Sequence, residues 1–319
     1  MTKAENAALF RIAPSLHAVQ LDADLSSDPR PLPALSALRD IALQQTRIAY
    51  GAHRFDVFHT DPRDHIFRIL ANTGGFYESE FLAALSEYVQ PGELVVDAGA
   101  NIGNHTLFFA GVLGCRVASF EPGETALRLL QHNILANGLG SLVEVWPYAV
   151  AQEAGQFSPD GFDAVEKLGL GALTLRADAD GGMRGMPLDA AAFGQPVKLI
   201  KIDVEGMEIE VLSGAERILL RDRPVICVEC DDLERFNRMF DYLLGLGFLA
   251  IESYNYTATH VFVPVTDPSR LEARLSRRLA TRYIAHGHQI HALSGRLAQV
   301  ENLIRRIQLA SRAAPASSH

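Results

Sequence analysis

Apolar residues along this chain alternate between short continuous runs and stretches with helical spacing, and that alternation sets the expected architecture. Leu94–Val96, Arg116–Phe120, Leu142–Val150, Val197–Asp203, Val225–Glu229, Phe248–Glu252 and His260–Val265 are the apolar runs. Runs of this length suit strands buried on both faces of a mainly parallel sheet. Thr106–Leu113, Glu124–Asn137, Ile209–Leu219 and Leu233–Leu244 read as helices between them. Strand and helix in turn predict a doubly wound α/β fold around a seven-stranded, mostly parallel sheet. No helix separates the last two strands, so the final strand is expected to be antiparallel.

The flanking segments predict additions to this core. Residues up to about Arg30 read as a loosely ordered leader, followed by helical spacing over Leu32–Gln45. Ile48–His59 and His65–Leu70 read as the arms of a hairpin about an Asp61-Pro62-Arg63-Asp64 turn. The run Tyr77–Tyr88 places Phe81, Leu82, Leu85 and Tyr88 on one helix face, ending before Pro91-Gly92. Ala151–Gln195, rich in Gly, Asp and Ala, reads as a long loop with some local structure, lying over the site. After Asp267-Pro268, Ile290, Leu293, Leu297, Val300, Ile304 and Ile307 follow the a/d spacing of a coiled-coil seam for fewer than three heptads. That segment is either an amphipathic helix on its own domain or a helix through which two copies associate. The expected divisions are 1–75 as an N-terminal leader, helix and hairpin cover, 76–266 as the main α/β domain, and 267–319 as a basic helical extension.

Composition narrows the class. The chain has 319 residues, 48% of them apolar, enough for a full core. Its net charge of -9 argues against a general nucleic-acid binder. The balance is uneven, because the stretch from Val265 carries nine arginines against Asp267, Glu272 and Glu301. Lys3, Glu5 and Arg11 interrupt the apolar residues of 1–21, so no signal peptide is expected. No window reaches the roughly 18 apolar residues that span a bilayer. Three cysteines, Cys115, Cys227 and Cys230, are too few for a disulfide framework. Cys227 and Cys230 have redox or metal spacing but sit in an apolar run and read as inert and buried. Together these features predict a cytoplasmic, reducing location.

The chemistry concentrates where strands end. Asp97-Ala98-Gly99-Ala100-Asn101-Ile102-Gly103-Asn104-His105 joins the first strand of the alternating series to a helix at the sheet's carboxyl edge, where open α/β sheets bind ligands. A dinucleotide turn needs G-x-G-x-x-G so that backbone can approach a pyrophosphate; here alanines occupy positions 98 and 100. Glu121 still ends the second of these strands, where an acid accepts hydrogen bonds from ribose hydroxyls. The pattern therefore points to a nucleoside without phosphates, of which S-adenosylmethionine is the common case. Asp97 is expected to order the turn and meet the cofactor's cationic amino-acid end, with Gly99 and Gly103 letting backbone pass close. A second block, Leu199-Ile-Lys201-Ile-Asp203-Val-Glu205-Gly206-Met-Glu208-Ile-Glu210, again runs from apolar strand to acid to helix. Strand order places Asp203 beside the cofactor's reactive end, while Glu208 and Glu210 read as solvated helix faces.

Taken together, Asp97–His105, Phe120-Glu121-Pro122, His132-Asn133 and Lys201–Glu208 resemble the FkbM family of S-adenosylmethionine-dependent methyltransferases over roughly 75–229. The resemblance implies a Rossmann-like class I methyltransferase fold and O-methylation of a hydroxyl on a sugar, glycolipid or secondary metabolite. Gly75-Phe-Tyr77-Glu78 is similar to a short acidic motif of that family, which would bring Glu78 to the cofactor. The expected cofactor contacts are Glu78, Asp97, Gly99, Asn101, Gly103, Asn104, Glu121, Pro122, Ala149 and Asp203. Asp203, Glu205 and His105 are the catalytic candidates, with Glu229 a further possible base. Asp203, Glu205, Glu229, Asp231 and Asp232 have the oxygen chemistry for Mg²⁺, but read as a cofactor- and solvent-facing rim, so no metal ligand is assigned. The expected partner is a small-molecule or glycan acceptor. Two other readings remain open, a nicotinamide-dependent oxidoreductase and a non-catalytic module binding partners through residues 290–307.

Overall fold

The computed structural model describes residues 43–159 and 175–265. The leader, most of the Leu32–Gln45 helix, the coiled-coil seam and the basic extension lie outside the described residues. Strands β1 (Gln44–Tyr50) and β2 (His53–His59) form an antiparallel hairpin, so Gln44 and Gln45 are strand and not helix. Its turn is Gly51-Ala52, not Asp61–Asp64, because Gly51 at φ +54° supplies the left-handed conformation of a two-residue hairpin loop. The expected second arm is instead helix α1 (His65–Thr73), started by the Asp64 side chain accepting from Phe67 N. Phe67 and Leu70, one helical turn apart, are its buried residues.

Helix α2 (Ser79–Leu85) buries Phe81, Leu82 and Leu85 as the spacing predicted. β3 (Leu94–Ala98) leads to α3 (Asn104–Leu107), which continues as a π-helical turn over Phe108–Val112. β4 (Arg116–Phe120), α4 (Glu124–Ala136) and β5 (Val143–Trp146) follow. The expected strand Leu142–Val150 breaks at Pro147, whose missing N–H cannot join a ladder. Beyond it, β6 (Ala149–Val150) joins β7 (Gly155–Pro159), β8 (Leu175–Ala177) and β9 (Met183–Met186) in a second sheet ordered β6-β9-β7-β8. The local structure expected within 151–195 is thus three short strands, with Phe157 of β7 in a small buried cluster with Ala151 and Met207.

β10 (Val197–Ile202), β11 (Val225–Glu229), α7 (Leu233–Gly245), β12 (Phe248–Tyr254) and β13 (Thr259–Pro264) complete the main sheet, with α5 (Glu208–Ser213) and α6 (Glu216–Asp222) after β10. The expected single helix 209–219 is interrupted at Gly214, where a Cβ would stand 2.1 Å from the Ala151 carbonyl oxygen. The main sheet has the order β5-β4-β3-β10-β11-β13-β12, and only β13 runs against its neighbours. This is the Rossmann-like class I methyltransferase fold. β3 is buried along its whole length, as a central strand with helices on both faces requires.

The hairpin is bound to this core through amide side chains. Asn137 accepts from Asp56 N (2.9 Å) and donates to Asp56 O (2.8 Å), and Asn133 accepts from Phe58 N (2.8 Å) and donates to Phe58 O (3.2 Å). Four helical residues rise about 6 Å and two strand residues about 6.6 Å, so the two asparagines match alternate residues of β2. Asn133 also donates to Ile102 O (2.8 Å), tying the hairpin to the turn after β3. The three cysteines are free and buried, and Cys227 lies within β11, in keeping with the reading of inert thiols.

Candidate active site

β3 and β10 are adjacent, and from β3 the chain proceeds outward to β4 while β10 proceeds the other way to β11. Such a reversal opens a crevice at the carboxyl ends of the strands. Its floor is set by register, because Asp97 of β3 lies opposite Lys201 of β10. Lys201 Nζ stands 3.3 Å from Asp97 Oδ1 and 3.2 Å from Asp203 Oδ2, and donates to Gly99 O at 3.0 Å. Burial works against the ammonium charge, but Asp203 and Asp97 outweigh it and hold Lys201 above its ordinary value. Asp97, fully buried, also accepts from Thr106 Oγ1 at 2.7 Å.

The turn above this floor uses its own amides. Gly99 N and Ala100 N both donate to Phe120 O, Gly103 N donates to Ala100 O, and Asn101 N donates to Glu121 Oε2. Glu121 Oε1 accepts from Gly123 N at 2.8 Å. Gly99 has φ +79°, and a Cβ there would lie 1.8 Å from the Asp203 carbonyl oxygen, so glycine lets the turn rest on the end of β10. Burial pushes the Glu121 carboxyl up to about 7, against the two amide bonds that favour its ionised form.

A cavity of about 400 Å³ runs along this edge, in the size range of small-molecule sites. Strand order grades its chemistry. On the side of β5 and β4 the wall is Tyr148, Ala149, Val150, Phe120 and Pro122, with the Glu121 carboxyl directly after β4; on the side of β10 and β11 it is Asp203, Glu205 and Glu229. Desolvation, then the charges of Asp203 and Glu78, hold the Glu229 carboxyl well above the usual carboxylate range. Tyr77 is held above its ordinary value by burial and by Glu78, Glu229 and Asp203, and remains a neutral phenol. Glu205, exposed at the rim and at φ +51°, is raised by desolvation and by Asp203 and Glu208, with solvent tempering the effect.

Of the expected contacts, Gly99, Asn101, Asn104, Glu121, Pro122, Ala149, Asp203, Glu205 and His105 line this one cavity. Glu78, Asp97 and Gly103 stand behind its wall. Asp97 is consumed by Lys201 and Thr106; Gly103, at φ +97°, makes room for Leu130, 2.8 Å from where a Cβ would be. Glu78 Oε2 meets His105 Nε2 at 3.0 Å. Asn104 brackets the backbone of Tyr77, accepting from its N and donating to its O, both at 3.1 Å.

Glu208 is a correction. It is buried, accepts from Gly206 N at 2.6 Å and faces Arg235 at 3.4 Å, and so does not belong to a solvated face. Asp232 caps α7 and Asp231 pairs with Arg235, so these acids are engaged elsewhere. Among the described residues no group of three or more His, Cys, Asp or Glu is placed to hold a metal ion. The sequence reading passed over the central role of Lys201, although a lysine inside the apolar stretch 199–202 of β10 was the available signal. Tyr148 carried none.

Proteins of curated function give no match to this chain. Among solved structures, a methyltransferase FkbM from Methylobacillus flagellatus KT is 21% identical over 55% of this chain and 44% of its own, with a TM-score of 0.41. A SAM-dependent O-methyltransferase from Thermotoga maritima is 13% identical over 70% of this chain and 78% of its own (TM-score 0.41). An rRNA methylase from Streptococcus thermophilus is 19% identical over 57% and 92% (TM-score 0.36). The chain thus spans less than half the length of the FkbM structure. The profile of the methyltransferase FkbM domain matches residues 97–256, half of the chain, beginning at the aspartate opposite Lys201 and taking in every strand of the main sheet from β4 to β12. The protein belongs to the FkbM methyltransferase family.

Proposed function

We propose that the protein transfers a methyl group from S-adenosylmethionine to a hydroxyl of a small-molecule or glycan acceptor, such as a sugar, glycolipid or secondary metabolite. The observation that carries this reading is the direction of the turn's amides. Those of Gly99, Ala100, Asn101 and Gly103 all donate inward, so they do not form the phosphate cradle of a dinucleotide site. The graded wall fits a phosphate-free cation instead, with apolar surface on the side of β5 and β4 and carboxylates on the side of β10 and β11.

When bound, S-adenosylmethionine supplies an electrophilic methyl group on a positively charged sulfur. Glu121 is placed to accept ribose hydroxyls on the lone pairs its two amide bonds leave free. Asp203 and Glu205 present negative charge at the other end, which favours binding of the cation more than the transition state. Positioning of the acceptor oxygen supplies much of the remaining rate. The net charge of -9 supports an acceptor other than nucleic acid, and the buried free cysteines support a reducing compartment such as the cytoplasm. Among the described residues no helix is long and apolar enough to cross a membrane.

Calorimetry tests the reading directly. S-adenosylmethionine or S-adenosylhomocysteine is expected to bind at sub-millimolar concentration, and absence of both isotherms would sink it. NADH fluorescence is expected to stay unchanged on addition of protein. Glu121→Ala is expected to weaken binding by about 1.5 to 3 kcal/mol, roughly 10- to 150-fold, as for hydrogen bonds to a charged group. Unchanged affinity would remove Glu121 from the ribose site. Ribose hydroxyls bond best to the ionised carboxylate, so affinity should rise as pH climbs through about 7 and then level off. A flat profile would contradict that role.

A further inference from the structure

Resting on the reading of hydroxyl methylation, we propose that Glu78 is a positioning residue that fixes His105 as the base taking the acceptor's proton. Three observations converge on this pair. First, His105 lines the cavity and Glu78 does not, while their side chains, 8% and 6% exposed, meet at 3.0 Å through Nε2. A carboxylate only accepts, so the ring N–H sits on Nε2 and the lone pair is left on Nδ1. This is the orienting logic by which a buried carboxylate sets the tautomer of a catalytic imidazole.

Second, Glu78 has φ +58°, a left-handed conformation that a non-glycine residue keeps only where its surroundings hold it. Third, the Asn104 bracket on Tyr77 ties the same two segments together one residue away on each side. Neighbouring residues of one segment thus grip neighbouring residues of the other, once through backbone and once through side chains.

The other candidates have different duties. Asp203 is paired with Lys201, Glu229 is made a poor proton releaser by burial and the charges of Asp203 and Glu78, and Glu205 sits exposed at the rim. Ionisable groups around the pair include Tyr77 beside Glu78, His65 edge-on to Tyr77, Glu229 at the end of β11, Lys201 of β10 and Asp203 just after it. Phe81 of α2 sets its ring edge-on to the imidazole at 6.1 Å. In the reaction the acceptor oxygen forms a bond to the methyl carbon while the carbon–sulfur electron pair stays on sulfur. The hydroxyl proton passes to Nδ1, the imidazolium rests against Glu78, and the proton is then released to solvent. The products are a methyl ether and S-adenosylhomocysteine.

The test compares wild type, His105→Gln, Glu78→Gln and Glu78→Asp. S-adenosylhomocysteine release is followed from S-adenosylmethionine with a glycan and glycolipid extract of the source cells as acceptor pool. Nitrogen-15 NMR of the imidazole reports the tautomer, and S-adenosylhomocysteine calorimetry reports the cofactor site. Expected are an Nε2–H tautomer in wild type, near-normal binding in all variants, and turnover down about 100- to 10,000-fold in His105→Gln. Glu78→Gln should mix the tautomers and lower turnover, and Glu78→Asp should restore part of both. An Nδ1–H tautomer in wild type overturns the proposal, whatever the turnover. So does wild-type turnover in His105→Gln or an unchanged tautomer in Glu78→Gln. A wild type that binds no cofactor, or binds it and methylates nothing, overturns the functional reading instead, and the tautomer still decides the role of Glu78.

Discussion

Lys201→Met is expected to destabilise the protein by about 3 to 5 kcal/mol, the range for removing one partner of a buried ion pair. At about 2 to 4 °C per kcal/mol for a domain of this size, the midpoint of thermal unfolding should fall by roughly 6 to 20 °C. The reason is Asp97. It is wholly buried, and without Lys201 its charge faces only the Thr106 hydroxyl. Gly99 O and Asp203 lose the same partner, so the turn and the acidic end of the cavity loosen together. Lys201→Met combined with Asp97→Asn should be less damaged than Lys201→Met alone, since the orphaned charge is gone. Urea and thermal unfolding of the three proteins check this, and a loss under about 1 kcal/mol for Lys201→Met would show that the triad does not support the fold.

Gly99→Ala is expected to act through geometry and not charge. The added methyl group would stand 1.8 Å from the Asp203 carbonyl oxygen, and backbone at φ +79° is itself unfavourable for alanine. Strain of about 1 to 2 kcal/mol for the left-handed residue and about 1 to 3 kcal/mol for the overpacking give a loss of about 2 to 5 kcal/mol. Because relief requires the turn to lift off β10, affinity for S-adenosylhomocysteine should fall with stability. Gly138→Ala is the control, with φ +69° but open space around the site of the new Cβ, and should show only the first of these losses. Equal stability of the two variants in urea would exclude the contact with Asp203 as the reason for glycine at 99.

Much of the site was legible because buried parallel strands advertise their ends. An acid directly after an apolar run, as at Asp97, Glu121 and Asp203, marks the carboxyl edge before any coordinate is known. What such a pattern does not tell is which acids face ligand and which face protein. Asp97 and Glu208 looked available and are consumed by Lys201 and Arg235, contacts made by residues 104 and 27 positions away. Glu78 shows the same limit, since its partner is an imidazole in the next structural unit and not the cavity.

The misread elements have local causes of a similar kind. His65–Leu70 carries β-forming residues, but Asp64 offers a cap to Phe67 N and the hairpin had already closed at Gly51-Ala52. The single helix expected over 209–219 was undone by the approach of Ala151 to Gly214, a contact no helical periodicity contains. Pro147, by contrast, was readable in the run Leu142–Val150, since a residue without an N–H ends a central strand wherever it falls.

By itself the sequence determined the alternation of strand and helix, the family resemblance, and the residues at the strand ends, because each depends on the order of neighbouring side chains. The neighbouring of β10 and β3 was also expected from strand order, but tertiary structure alone decided the register that sets Lys201 against Asp97, the grading of the cavity from apolar to acidic, and the meeting of Glu78 with His105. Those facts depend on which strands pair across long stretches of chain, and pairing is settled by packing of the whole sheet between its helices.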